Sequence, residues 1–134
     1  NVIPYASRSY KPWYVAGRVA AREARARIGF LTAFPDVPEL VSVINAFVEG
    51  VAAENPSLLP VHVLSSLSWF SPPKEAVAVR ALHDLVGCDV IAQYTDSFVA
   101  AEYANELTDG TYSIQMHGRA TRYYGDSVLT CVYS

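Results

Sequence analysis

Apolar positions along this chain switch repeatedly between helical spacing and short continuous runs. The first ten residues show no period. From Lys11-Pro12-Trp13 onward, Ala16, Val19, Ala20 and Ala24 recur at helical spacing and predict a helix over 11–25. Pro12 suits its first turn, where a missing N–H has no helical partner to lose. Ile28-Gly-Phe-Leu-Thr-Ala-Phe34 is too brief for a helix and is followed by Pro35, which predicts a strand buried on both faces. Asp36 with Glu39 three residues on, and Pro38 between them, has the acidic layout of a helix start. Leu40, Ile44, Phe47, Val48 and Val51 then mark one face until Asn55-Pro56 stops it.

The unit then repeats. A strand over 61–67 leads through the loop Ser68-Trp69-Phe70-Ser71 into a helix over 72–86, with Val77, Ala81, Leu82 and Leu85 inward and a stop at Gly87. A strand over 89–94 leads through Thr95-Asp96 into a helix over 97–107, closing at Asp109-Gly110. Strands over 112–116 and 128–133 complete the pattern. Alternation at this spacing predicts an α/β fold: a three-layer parallel sheet joined by right-handed crossovers, with helices on both faces.

In such a sheet, ligands bind beyond the strand C-termini where the strand order reverses. That places residues 34–36, 68–71, 94–97 and 117–119 on one edge. Phe34, Trp69, Phe70 and Tyr94 make it aromatic, and flat rings beside helix N-termini suit a planar heteroaromatic ligand. Trp69 is the ring least suited to a purely core role, since Pro72 and Pro73 hold its loop at a helix start. Asp96 and Ser97 can hydrogen-bond a ligand, although the pair equally suits a helix N-cap. His117 ends a strand at the same edge and can meet a ligand or act as a base.

The 134 residues match one domain, and 51% hydrophobic with 17% charged residues describes an ordered globular chain. A formal net charge of -3 offers no field for a polyanion, and the one basic cluster, Arg18 to Arg27, reads as a solvated helix face, so no nucleic-acid partner is expected. No run approaches the roughly 18 apolar residues of a membrane span. Cys88 and Cys131 both sit in apolar strand-like surroundings, which reads as small buried side chains rather than a disulfide.

Catalytic and metal signatures are missing. His62 falls within a strand and His83 on a helix, and neither they nor His117 have ligands at metal spacing, so no metal and no cofactor are expected. No phosphate loop, dinucleotide fingerprint or nucleophile elbow is present. A hydrolase or transferase using His117 and Asp96 has only their shared edge in its favour.

Five strings in order, spanning roughly residues 5–115, resemble the basic membrane protein family of substrate-binding lipoproteins of the type I periplasmic-binding-protein fold. They are Tyr10-Lys-Pro-Trp-Tyr-Val-Ala-Gly17, Ile28-Gly-Phe-Leu-Thr-Ala-Phe-Pro35, Ile44-Asn-Ala-Phe-Val-Glu-Gly50 leading to Asn55-Pro56, Trp69-Phe-Ser-Pro-Pro-Lys-Glu75, and Asp89-Val-Ile-Ala-Gln-Tyr-Thr-Asp-Ser97. The resemblance implies a two-lobed, extracytoplasmic receptor that closes on a purine nucleoside or base and delivers it to a membrane transporter. This chain then corresponds to its central part: a connecting segment and first-lobe-like helix over 1–26, and a second-lobe-like ligand-binding domain over 27–134. The resemblance also implies that Trp69 is the aromatic that stacks on the base and that Asp96 meets the ligand. Where the family ends the next strand in Gly-x-Asp to hold the ribose, this chain has Gln115-Met-His-Gly118, with His117 in place of the carboxylate.

The leading expectation is therefore a ligand-binding module, not an enzyme, with Phe34, Trp69, Phe70, Asp96, Ser97 and His117 around a purine-like ring. The competing expectation is an interaction or scaffold domain that keeps the fold, has lost the site and forms either a homodimer or a complex with a partner.

Overall fold

The computed structural model describes residues 4–107, 109–116 and 127–132. Its elements are α1 (Pro4–Glu23), β1 (Arg27–Thr32), α2 (Pro38–Glu54), β2 (His62–Ser65), α3 (Pro72–Arg80), β3 (Cys88–Tyr94), α4 (Val99–Glu106), β4 (Tyr112–Met116) and β5 (Val128–Val132). The five strands form one sheet in the order β2-β1-β3-β4-β5, and every neighbouring pair is parallel. The expected α/β architecture is present.

Strand alternation divides the core between two faces. Ile28 and Phe30 of β1, Val90, Ala92 and Tyr94 of β3, and Ile114 of β4 meet Trp13, Ala16 and Ala20 of α1 and Leu40, Val43, Phe47 and Val51 of α2. Leu31 and Ile91 face the other way, against Ala78, Val79, Leu82, Val99 and Ala100 of α3, α4 and the turn after α3. The segment expected as a connecting helix thus shares a core with β1 and β3.

Helices α1 and α2 touch backbone to backbone. A methyl group added at Gly50 would lie 2.0 Å from the Tyr14 carbonyl oxygen, and one at Gly17 would lie 2.1 Å from that of Phe47. Only glycine allows the approach that lets Trp13 pack on Phe30 and Phe47, with ring centroids 5.4 and 6.2 Å away.

Several local expectations are corrected. The first helix begins at Pro4, so Pro12 lies in its interior and leaves a preceding carbonyl without its helical donor. It ends at Glu23 because the Asp89 carboxylate takes the next free N–H groups, of Arg25 at 2.8 Å and Ala26 at 3.2 Å. Helix α2 is capped by Val37 with no side-chain bond, and Pro38 sets its first turn; Asp36 does not cap it. In α3 the buried stripe is Glu75, Ala78, Val79 and Leu82, while Val77 and Leu85 point outward at 68% and 84% exposure. The stripe has helical spacing but a carboxylate at its head, and the helix then widens into a π turn (Ala81–Val86), which shifts its phase before Gly87 stops it at φ +89°. Helix α4 starts at Val99, with Phe98 and not Asp96-Ser97 at the cap position.

The basic cluster on α1 is neutralised locally: Arg18 and Arg22 pair with Glu54, and Arg25 with Asp89. Cys88 is a buried free thiol, its pKa pushed up to about 11 chiefly by burial. Among the described residues no helix is long and apolar enough to cross a membrane.

His83 bridges two carboxylates. Its Nδ1 lies 2.6 Å from Asp84 Oδ1 and its Nε2 2.8 Å from Asp109 Oδ2, which ties the end of α3 to the turn before β4; Tyr103 donates to Asp84 from α4. A neutral imidazole has one N–H, so donating at both nitrogens requires the cation. Partial burial pulls the His83 pKa down, but the hydrogen bonds and charges of Asp84 and Asp109 outweigh it and the net shift is upward.

Two predictions follow from these contacts. Gly50→Ala should cost about 1–3 kcal/mol of stability through forced separation of α1 and α2, measured as a lower urea midpoint at unchanged slope. For His83, a folded-state pKa above the unfolded value of about 6.5 contributes stability that is complete below that value and lost as pH rises through the folded one. The urea midpoint should therefore fall across that window in the native chain and stay flat in His83→Gln. A parallel decline in both would show that the bridge stabilises nothing.

Candidate functional site

The chain leaves β1 for β2 through α2 on one face of the sheet and returns past β1 to β3 through α3 on the other. Strand order therefore reverses between β1 and β3, and their C-terminal ends flank the crevice where a parallel sheet receives ligands. Residues 33–37 and 95–98 border it, and the loop after β2 reaches across.

That loop is held by its serines, whose hydroxyls bond nearby backbone and so fix irregular conformations. The Ser65 hydroxyl donates to the Ala33 carbonyl at 2.8 Å, the Ser66 N–H to Thr32 at 3.0 Å, and the Ser66 hydroxyl to Ser68 at 2.8 Å. Leu67 takes a φ of +57° in the resulting turn. At its far end the Asp96 N–H donates to the Trp69 carbonyl at 2.7 Å, joining the β2 and β3 loops directly.

Trp69 stands at the centre of the rim. Its ring meets Phe34 edge-on at 5.9 Å and Tyr94 at 6.2 Å, from opposite sides of the crevice, and 39% of the residue remains exposed. Tyr94 packs in turn on Trp13 at 5.6 Å, which continues the rings into the core. Tyr94 itself is buried, so it supports the platform from below. Its hydroxyl donates to Glu39 at 3.1 Å, and its pKa is pushed up to about 12 by burial, then by the Glu39 and Asp96 carboxylates. Phe70 is exposed at 63% beside Trp69 and outside the ladder of ring contacts.

Asp96 is exposed, and its carboxylate makes no hydrogen bond or ion pair among the described residues. Ser97 turns inward: its hydroxyl donates to Glu75 Oε1 at 2.5 Å and is 3.4 Å from the Val99 N–H. His117 lies outside the described residues. The structure thus brings Phe34, Trp69 and Asp96 together, sets Phe70 beside them and directs Ser97 beneath them. Among the described residues no His, Cys, Asp and Glu cluster could hold a metal ion.

Sequence reasoning missed what lies below the rim. Glu75, Gln93 and Gln115 are buried at 0%, 0% and 1% exposure and form one hydrogen-bonded chain. A glutamine in the otherwise apolar run over 90–94 and an acid four residues after Ser71 were the available signals.

This geometry has relatives. The signature of the Bmp family, described as ABC transporter substrate-binding proteins, PnrA-like, matches residues 1–131. The chain belongs to the Bmp family. A purine-binding protein of Brucella abortus is 38% identical over 136 residues, covering 98% of this chain and 37% of that protein. A Haloferax volcanii protein assigned as an ABC transporter glucose-binding protein is 39% identical over 107 residues, covering 79% of this chain and 27% of the other. The chain spans well under half the length of these curated relatives. Among solved structures, a transcriptional activator of the comK gene from Bacillus halodurans superimposes with a TM-score of 0.78 at 25% identity, over 92% of this chain and 41% of that one. An ABC transporter solute-binding protein from Conexibacter woesei gives 0.70 at 18% identity, over 92% and 45%, a likeness of fold.

Bmp-family proteins bind small-molecule substrates for ABC transporters and are not enzymes. They are typically extracytoplasmic. The family resemblance and the fold expected above are both established by these matches.

Proposed function

We propose that this Bmp-family chain forms one wall of a ligand cleft, and that a purine base or nucleoside stacks on Trp69 there. The observation that carries this is the partly open indole braced by Phe34 and Tyr94 over the β1/β3 crevice, beside an Asp96 carboxylate unpaired among the described residues. A braced ring loses little freedom when a flat ligand lands on it, and a carboxylate accepts from ring N–H, exocyclic amino or ribose hydroxyl donors. The B. abortus relative, named for purine binding, supports the choice of ligand.

On this reading Phe34 and Phe70 border the base and Ser97 holds the Asp96 loop from below. His117 stands where the family pattern puts the ribose carboxylate. Residues 1–26 lead in from a first lobe, and residues 27–134 form the ligand-binding domain. The first lobe closes the cleft over this second-lobe-like domain, the loaded receptor meets a membrane transporter, and the protein works outside the cytoplasm.

A second reading has one observation in its favour. Strand β2 is an edge strand with Val63 and Leu64 exposed, and beside it Leu64, Lys74, Val77 and Ala81 line an open groove of about 380 Å³. An unpaired apolar edge invites another strand, which fits an interaction domain that forms homodimers through β2.

Isothermal titration with adenine, guanine, adenosine, inosine and D-glucose tests the first reading. A purine should give heat, and Trp69→Ala should weaken it by about 1–3 kcal/mol, the range for loss of one base–aromatic stack, or about five- to 150-fold in Kd. Heat with glucose alone would replace the purine assignment. No heat with any of the five, together with a dimer by light scattering, would favour the second reading.

A further inference from the structure

Glu75 is fully buried in the first turn of α3, yet it makes no ion pair among the described residues. Four donors converge on it instead. The Ser71 N–H reaches Oε2 at 2.7 Å, while Gln93 Nε2 at 2.8 Å, Thr95 Oγ1 at 2.6 Å and Ser97 Oγ at 2.5 Å reach Oε1. Ser71 ends the loop that carries Trp69. Thr95 and Ser97 flank Asp96, whose N–H holds the Trp69 carbonyl. The far side of Gln93 accepts from the Ala100 N–H at 2.9 Å and Gln115 Nε2 at 3.3 Å, which carries the tie to α4 and β4.

A carboxylate placed here is costly unless fully satisfied, and an apolar side chain would fill the same space without that cost. What the carboxylate adds is direction, because it gathers donors from two loops that belong to different strands. We propose that Glu75 is the positioning residue of the ligand edge, holding the Trp69 loop and the Asp96 loop in register before a ligand arrives. The role rests on the ligand edge proposed above. Glutamine cannot replace it: one oxygen remains to accept, and the amide N–H groups meet either the Ser71 N–H or the Gln93 amide N–H donor to donor.

The test needs no ligand for its first readout. The chain has two tryptophans, Trp13 at 2% exposure and Trp69 at 39%, so acrylamide in the solvent quenches Trp69 selectively. Glu75→Gln should raise the quenching constant and weaken adenosine binding on the order of 3- to 10-fold, the cost of ordering a side chain or two on binding. Its circular dichroism should match that of the native chain. Thr95→Val, which removes one donor at constant shape, should move both readouts the same way by less, and it decides the matter should Glu75→Gln fail to fold.

Unchanged quenching in folded variants would overturn the proposal. So would raised quenching at unchanged adenosine affinity while Trp69→Ala still weakens binding, because the loop would then be loosened without consequence for the ligand. If the native chain binds no purine, the functional reading falls, and the quenching comparison alone decides whether Glu75 holds the Trp69 loop.

Discussion

A parallel sheet whose chain steps from β1 to β2 and then returns past β1 to β3 leaves a gap where the β1 and β3 loops part toward opposite faces. The loop after β1 runs to α2, and that after β3 to α4, which lies across the sheet. Nothing in either strand can close that gap, so a third loop must. The β2 loop does so with Trp69, whose ring touches Phe34 on one bank and Tyr94 on the other. The rim is therefore joined by a ring that spans a break in topology, and on the reading proposed above a ligand would enter at the same break.

Alternation along β3 lets this one place serve two kinds of packing. Val90, Ala92 and Tyr94 face α1 and α2, where the rings of Trp13, Phe30 and Phe47 continue downward and the Gly17 and Gly50 contact brings the helices close enough to bury them. Gln93, in the opposite direction, enters the hydrogen-bonded chain under α3 and α4. Dispersion holds the Tyr94 side of the rim, and directional hydrogen bonds hold the Asp96 side. Neither alone would fix a loop crossing from one face to the other.

The strands and the aromatic edge were legible because their signals are local and strong. A run such as Ile28 to Phe34 has few alternatives, and strand ends follow from strand positions. Phe34, Trp69 and Asp96 were read correctly as neighbours from topology alone. What failed was phase and partnership. Val77 and Leu85 were assigned inward because they are apolar, although the buried stripe begins at Glu75 and the helix changes pitch after Arg80. A reading that counts hydrophobic positions cannot credit a carboxylate with a core place, since what makes it stable there is four donors from residues 71, 93, 95 and 97. The His83–Asp109 contact was not legible for the same reason: the two lie 26 residues apart, and only folding brings them together. Asp36 and Ser97 fit capping patterns, but Pro38 and Glu75 had stronger claims on the local geometry.

The division at the rim also bears on how selectivity can arise. A stacked ring recognises any flat apolar face and distinguishes poorly between ligands that share one. Selectivity must then come from polar groups set around it. Here Asp96 is placed without being used up: its N–H is committed to Trp69 and its neighbours to Glu75, while its carboxylate stays unpaired among the described residues. On the reading proposed above, because the backbone is fixed by groups other than the carboxylate, a ligand donor would meet an acceptor already in position, and choosing a partner need not first order the loop.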